Sequence, residues 1–320
     1  MLSKPFTYEV SDFKFIIEKK LGKGGFSKVY KAKNISSGKE FALKVFKYNA
    51  FLEKIINREL AFNKLIKESK SPFFIKYIPS SKIGISFKKD SQEKKFNIIF
   101  EVASKGVLYN YLSSRGAGFK DKFCKILFFK ILKALQALHN IGICHRNIKP
   151  ENIFLEGEKF EVKIGDFGLS ALIKGKNGKI LLKGKYGTEE YMAPEIILGK
   201  VYNGEKVDIF SAGVLLFVLR NFKNPFPKAL PVINGTNVEK LYNYIKEKDE
   251  DKYWKNIGID GLSDEFKKLF FKMVAFNPDE RPTIEEILDD DYMKEITKLN
   301  EEEYKIYEEE LVKELNSRKV

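Results

Sequence analysis

The sequence predicts an α+β fold in two lobes: a small β-rich N-terminal lobe with one main helix, and a larger, mainly α C-terminal lobe. Three observations carry this expectation. From residue 12 to about 103, short apolar or alternating runs are separated by turn residues. One long helical pattern interrupts them at 51–68, and from 108 onward apolar residues recur at three- and four-residue spacing. A chain of 320 residues can bury a sizeable core and divide into two such parts.

Taken in order, the strand candidates are "FKFIIEKKLG", "SKVYKAKN", "EFALKVF", "IGISFKK" and "KFNIIFEVA", with "FLEKIINRELAFNKLIKE" as the intervening helix. "DKFCKILFFKILKALQALHNIG" is an amphipathic helix that stops at Gly142. "IFSAGVLLFVL" (209–219) is the most apolar run, too short for the roughly 20 residues of a membrane span, and reads as a buried core helix. The expected boundaries are an N-terminal extension at 1–11, lobes at 12–103 and 104–292, and a helical tail at 293–320. In that tail Ile296, Leu299, Tyr304, Tyr307, Leu311 and Leu315 fall near helical spacing. The stripe suits either packing on the large lobe or a partner-binding helix.

Composition narrows the function classes. Hydrophobic residues make up 43% and charged residues 32%, ordinary values for a soluble globular protein. The formal charge is +14, but 52 of the 58 basic residues are lysine, spread along the whole chain. Lysine is a point charge, whereas bidentate recognition of phosphate or base edges favours arginine. No nucleic-acid partner is therefore expected, and no membrane partner either. Cys124 and Cys144 form no metal spacing or disulfide framework and read as reduced thiols, which points to a cytoplasmic or nuclear protein.

Several residues suit phosphate chemistry. Gly22, Gly24 and Gly25 in "LGKGGFSKVYKA" allow close backbone approach to a phosphate, although glycine-rich hairpins are also common without one. Lys44 sits mid-strand in "FALKVF"; it either faces outward or needs an anionic partner, which Glu59 on the following helix could supply. Asp166 in "KIGDFGLS" and Asn152 in "KPEN" offer oxygen ligands of the kind Mg²⁺ takes beside phosphate and water.

Together and in this order, "GKGGFS", "FALK", "HRNIKPEN", "DFG" and "APE" resemble the motif set of eukaryotic protein kinases, over about residues 12–292. "EKVDIFSAGVLLF" resembles that family's central helix, with Asp208 bracing the catalytic loop, and "NPDERPTIEEIL" supplies Arg281 to pair with Glu195. The resemblance implies a bilobal kinase fold with ATP and Mg²⁺ in the cleft and a protein Ser/Thr hydroxyl as acceptor. It assigns Lys44, paired with Glu59, to the α- and β-phosphates, Lys149 to the γ-phosphate, and Asp166 and Asn152 to the metal. Leu21 and the three glycines form the Gly-rich loop. Val29, Ala42 and Phe154 sandwich adenine, Phe100 is the gatekeeper, and Glu101 and Val102 contact adenine through their backbones. Lys149 matches the Ser/Thr class, and the closest flavour is that of calcium/calmodulin-dependent and polo-like kinases.

Three departures stand out. Asn147 replaces the carboxylate that accepts the substrate proton, so impaired transfer and a non-catalytic pseudokinase scaffold are both consistent with the sequence, whether the change is natural or engineered. Between 171 and 187 there is no Ser or Thr, only Tyr186 among hydroxyls. Arg146, which pairs with a loop phosphate in many relatives, is therefore not expected to be switched that way. The same segment carries Lys174, Lys176, Lys179, Lys183 and Lys185, which suits either a solvated loop or acidic peptide substrates. Thr188 matches the family's substrate-docking threonine. Finally, Asn63 stands where relatives place an apolar residue, which loosens the active arrangement unless it finds a hydrogen bond.

Overall fold

A computed structural model describes residues 7–10, 13–24, 27–47, 50–79, 84–87, 94–176, 178–230 and 240–318. The chain divides into two compact units, 1–104 and 105–320.

In the first unit the strands are β1 (Thr7–Val10), β2 (Phe13–Lys23), β3 (Ser27–Asn34), β4 (Glu40–Lys47), β5 (Tyr77–Ile78), β6 (Gly84–Phe87) and β7 (Lys94–Glu101), with helix α1 (Ala50–Glu68) between β4 and β5. Among the described residues they form one antiparallel sheet in the order β1-β2-β3-β4-β7-β5, with β6 also paired to β7. Alternation fixes its two faces. Phe15, Ile17, Ala32, Leu43 and Ile99 form a buried cluster, and the register places Tyr30, Leu43 and Ile99 opposite one another. β1 and the two-residue β5 have no counterpart in the strand pattern of the sequence; runs of four and two residues are too short to display a period.

Helix α1 buries Ile56, Glu59, Leu60, Asn63 and Ile66, a stripe at three- and four-residue spacing that includes two polar residues. Asn63 does find a hydrogen bond: its Nδ2 donates to the Glu59 carbonyl at 2.8 Å. Its Oδ1 is buried without a hydrogen-bond partner among the described residues. A buried acceptor left unsatisfied costs about 1–3 kcal/mol. Asn63→Leu, of similar volume, is therefore expected to raise the thermal midpoint by a gain of about 1 kcal/mol, read by calorimetry. A lower midpoint would show that the amide is satisfied.

The second unit contains helices α2 (Leu108–Ser113), α3 (Asp121–Asn140), α4 (Pro194–Ile197), α5 (Gly204–Asn221), α6 (Lys240–Lys246), α7 (Glu250–Ile257), α8 (Asp264–Met273), α9 (Ile284–Leu288), α10 (Lys294–Thr297) and α11 (Glu301–Ser317). Short antiparallel pairs carry its loops: β8 (Ile143–Cys144) with β11 (Ala171–Leu172), β9 (Ile153–Glu156) with β10 (Glu161–Ile164), β12 (Lys174–Gly175) with β13 (Gly178–Lys179), and β14 (Leu181–Leu182) with β15 (Tyr202–Asn203). Helix α5 is buried on all sides from Val207 to Leu219, which explains its unbroken apolar run. No described helix is long and apolar enough to cross a membrane. Both cysteines are buried thiols, and burial pushes Cys124 up to about 12.

Helix starts follow local chemistry. Asn203 and Ser263 cap α5 and α8 through their side chains, while Thr283 with Glu286 and Asn300 with Glu303 form capping boxes for α9 and α11. Of the two uses open to the tail, α11 adopts the packed one. Leu311 and Leu315 are fully buried, Tyr304 meets Phe129 edge-on, and Glu308 pairs with Lys130 of α3 at 2.7 Å. Arg318 follows the helix and donates to the carbonyls of Tyr111, Ala117 and Gly118 while stacking on Phe119 at 3.8 Å. Arg146 and Arg281 are buried as well, so three of the six arginines serve the interior.

Candidate active site

In the first unit, sheet register gathers most of the predicted nucleotide residues on one face. Val29 lies opposite Lys44, which lies opposite Ile98; Ala42 lies opposite Phe100; and Gly22 lies opposite Val29. This is the face turned away from Leu43 and Ile99. Lys44 does not face outward unpaired: its Nζ is 2.6 Å from Glu59 Oε1, with both side chains largely buried. Glu59 reaches it because it lies on the buried stripe of α1. Gly24 N–H donates to the Ser27 carbonyl at 2.9 Å, closing the hairpin between β2 and β3, and Leu21 is exposed. Gly25 lies outside the described residues. Glu101 is tied to Lys76 twice, through its own N–H and through its carboxylate, each at 3.0 Å, and the half-buried Val102 follows it.

In the second unit, Asp208 at the first turns of α5 organises the loop after β8. One carboxylate oxygen accepts from His145 N–H at 2.7 Å and contacts His139 Nε2 at 2.9 Å; the other accepts from Arg146 N–H at 2.7 Å. These bonds hold Arg146 at a left-handed φ of +65°, a conformation that non-glycine residues rarely adopt. Asn147 N–H donates to His145 Nδ1 at 3.2 Å, so the ring proton sits on Nε2 and is donated to the Gly165 carbonyl at 3.0 Å. Complete burial holds the His145 pKa below the ordinary imidazole range, which keeps the ring neutral. Its edge-on contact with Phe167, 5.5 Å between centroids, fixes the start of the segment after Asp166.

Asn147 is nearly buried. Its Oδ1 accepts the Thr188 hydroxyl at 2.9 Å, and its backbone carbonyl accepts Asn152 Nδ2 at 2.7 Å. That second bond orients the Asn152 amide with its oxygen turned from the carbonyl. Gly165 N–H bonds the Asn152 backbone carbonyl at 3.1 Å, which brings the chain entering Asp166 alongside Asn152. Asp166 itself adopts a left-handed φ of +64°. Among the described residues no three His, Cys, Asp or Glu side chains converge on a metal position. One carboxylate and one amide oxygen instead suit a hard cation that draws its remaining ligands from phosphate and water. Lys149 is half-buried, with no ion pair or hydrogen bond to its ammonium among the described residues. Phe154 lies on β9, bridged to Val107.

A protein kinase domain model matches residues 15–293. The chain belongs to the protein kinase family. Its kinase relatives include CBL-interacting protein kinase 30 of Oryza sativa subsp. japonica, 32% identical over 278 residues, covering 87% of this chain and 53% of that protein. CBL-interacting serine/threonine-protein kinase 14 of Arabidopsis thaliana is 32% identical over 291 residues, covering 88% and 58%. The carbon catabolite-derepressing protein kinase of Candida tropicalis is 32% identical over 292 residues, covering 88% and 41%. This kinase chain thus spans about half the length of the curated relatives it matches. Two residues tied to its catalytic loop were not flagged by motif reading: His139, which is bonded to Asp208, and Tyr202, which meets Arg146 at 3.0 Å. Neither lies within a recognised motif.

Proposed function

We propose that the chain binds Mg·ATP and transfers its γ-phosphoryl group to a Ser or Thr hydroxyl of a protein, at a rate limited by Asn147. The observation that carries this reading is the Lys44–Glu59 pair at 2.6 Å, which holds an ammonium in a largely buried position. In the first unit Lys44 is assigned to the α- and β-phosphates, Val29 and Ala42 to the adenine face, Phe100 to the gatekeeper position, and Glu101 and Val102 to backbone contacts with adenine, with Leu21, Gly22, Gly24 and Gly25 completing the nucleotide set. In the second, Asp166 and Asn152 are assigned to Mg²⁺, Lys149 to the γ-phosphate, and Phe154 to adenine. Bound Mg²⁺ neutralises phosphate charge during transfer. As the new P–O bond to the acceptor oxygen forms, the bond from the γ-phosphorus to the ADP oxygen breaks; the hydroxyl proton passes to solvent, because the Asn147 amide is no base for it.

Asn147 also favours a second reading, a pseudokinase that binds nucleotide and acts as a scaffold. Phosphotransfer by the Asn147→Asp form separates the two. Acidic peptides are the proposed substrate class, supported by Lys174, Lys176 and Lys183, exposed along the segment; Lys179 and Lys185 already pair with Glu205 and Glu189. The calcium/calmodulin-dependent and polo-like likeness rests on sequence motifs alone and adds no step.

The test is a thermal-shift titration. Mg·ATP at about 100 times its Kd should stabilise the chain by about 2.7 kcal/mol, and Lys44→Met should abolish most of that gain. No shift in the unsubstituted chain would overturn the nucleotide assignment.

A further inference from the structure

We propose that Tyr186 and Tyr202 are positioning residues that engage the Arg146 guanidinium and hold the segment leading to Thr188 in place without a phosphate. The effect on turnover rests on the protein kinase reading above; the clamp itself rests only on geometry within the second unit.

The Arg146 guanidinium is buried, and its observed hydrogen-bond partners are all neutral. Its Nε donates to the Leu169 carbonyl at 2.6 Å, one terminal nitrogen to the Tyr202 hydroxyl at 3.0 Å, and the other to the Ser170 carbonyl at 3.3 Å. The Tyr186 ring covers its face at 4.3 Å from the ring centroid. A desolvated guanidinium seeks negative potential, which an aromatic face supplies in part. Tyr202 completes the clamp from the other side. Its hydroxyl accepts from Arg146 and donates to the Gly184 carbonyl at 3.2 Å, while β15 fixes its backbone opposite Leu182 of β14. Burial raises the Tyr202 pKa, which keeps the proton that this donation needs.

The sequence "GKYG" is built for the arrangement. Gly184 has φ +109°, and a Cβ there would come within 2.6 Å of the Tyr186 ring. Gly187 has φ +122°, and a Cβ there would come within 2.7 Å of the Arg146 carbonyl. Both positions exclude side chains, so the chain can fold Tyr186 back onto Arg146. The clamp then reaches the transfer site by two routes: Arg146 precedes Asn147, and Tyr186 stands two residues before Thr188, which bonds the Asn147 side chain at 2.9 Å.

The test compares Tyr186→Ala, Tyr186→Phe and Tyr202→Phe in the full chain. Hydrogen exchange over 178–191 reads the clamp directly, and peptide KM in an Asn147→Asp background reads its consequence. Tyr186→Ala should raise exchange roughly tenfold, the scale of one cation–π contact. It should also raise peptide KM while leaving the KM for ATP unchanged. Tyr202→Phe should act in the same direction, and Tyr186→Phe, which keeps the ring, should behave as the parent. Unchanged exchange in Tyr186→Ala, or equal loosening in Tyr186→Phe, would overturn the clamp. So would loosening of the parent by phosphatase. If the Asn147→Asp chain transfers no phosphate, the kinase reading fails, while exchange still decides the clamp.

Discussion

Asn147→Asp should raise phosphoryl transfer by about 10²- to 10⁴-fold, equivalent to about 2.7–5.4 kcal/mol of barrier. The expectation follows from where the amide is held. Its oxygen accepts the Thr188 hydroxyl at 2.9 Å, which leaves the NH₂ group as the remaining face of the side chain. Two N–H donors there cannot take a proton from an acceptor hydroxyl. A carboxylate could keep the Thr188 bond with one oxygen and offer the other as base. Aspartate is close in shape, and the backbone bonds at this position run from Asn147 N–H to His145 and from Asn152 to the Asn147 carbonyl, so the substitution leaves the loop intact. Against kinase turnovers of about 1–100 per second, the unsubstituted chain should then work at about 10⁻⁴ to 1 per second. Steady-state kinetics on a Ser/Thr peptide checks this, with the gain in kcat and little change in the KM for ATP. Two equally silent forms that both bind Mg·ATP would favour the scaffold.

The second large effect concerns stability. Arg281→Met should destabilise the second unit by about 3–5 kcal/mol, because it leaves the buried Glu195 carboxylate without its counter-ion. The guanidinium grips Glu195 bidentately at 2.7 and 2.8 Å and also donates to the carbonyls of Ala275 at 2.9 Å and Lys206 at 3.0 Å. Five donors in one plane make this geometry, so Arg281→Lys should rescue little. Arg281→Met combined with Glu195→Leu should recover much of the loss, since replacing both partners removes the stranded charge. Urea denaturation of the single and double variants measures the coupling. A loss below about 1 kcal/mol in the single variant would mean that the pair does not hold the unit together.

Much of this was legible in the sequence because the signals are local. The strand pattern of "EFALKVF" set Lys44 mid-strand and the helical pattern of 51–68 set Glu59 on the next element, while the inward turn that pairs them came only with the structure. The apolar run from Ile209 to Leu219 announced a helix buried on every side. What stayed hidden depends on contacts distant in sequence or on very short elements. β1 has four residues and acquires meaning only by pairing with β2. His139 and Tyr202 reach their partners across 69 and 56 positions, a separation that no periodicity encodes. The absence of Ser and Thr from 171–187 was visible, but the ring that covers Arg146 was not, since its placement depends on the backbone angles of Gly184 and Gly187. For α11 the apolar stripe was readable, but which surface would receive it became apparent only from Lys130 and Glu308, 178 positions apart.

The division of labour between the two basic residue types has an experimental consequence. Arg146, Arg281 and Arg318 are shielded, each spending its guanidinium on carbonyl, carboxylate or hydroxyl oxygens, whereas most of the 52 lysines decorate the exterior. Acylating reagents that consume amines would therefore repaint the outside and turn the charge of +14 strongly negative while sparing the internal scaffold. A dicarbonyl that attacks guanidines would find half its targets sealed, and its slow uptake would serve as a clock for how often the second unit opens.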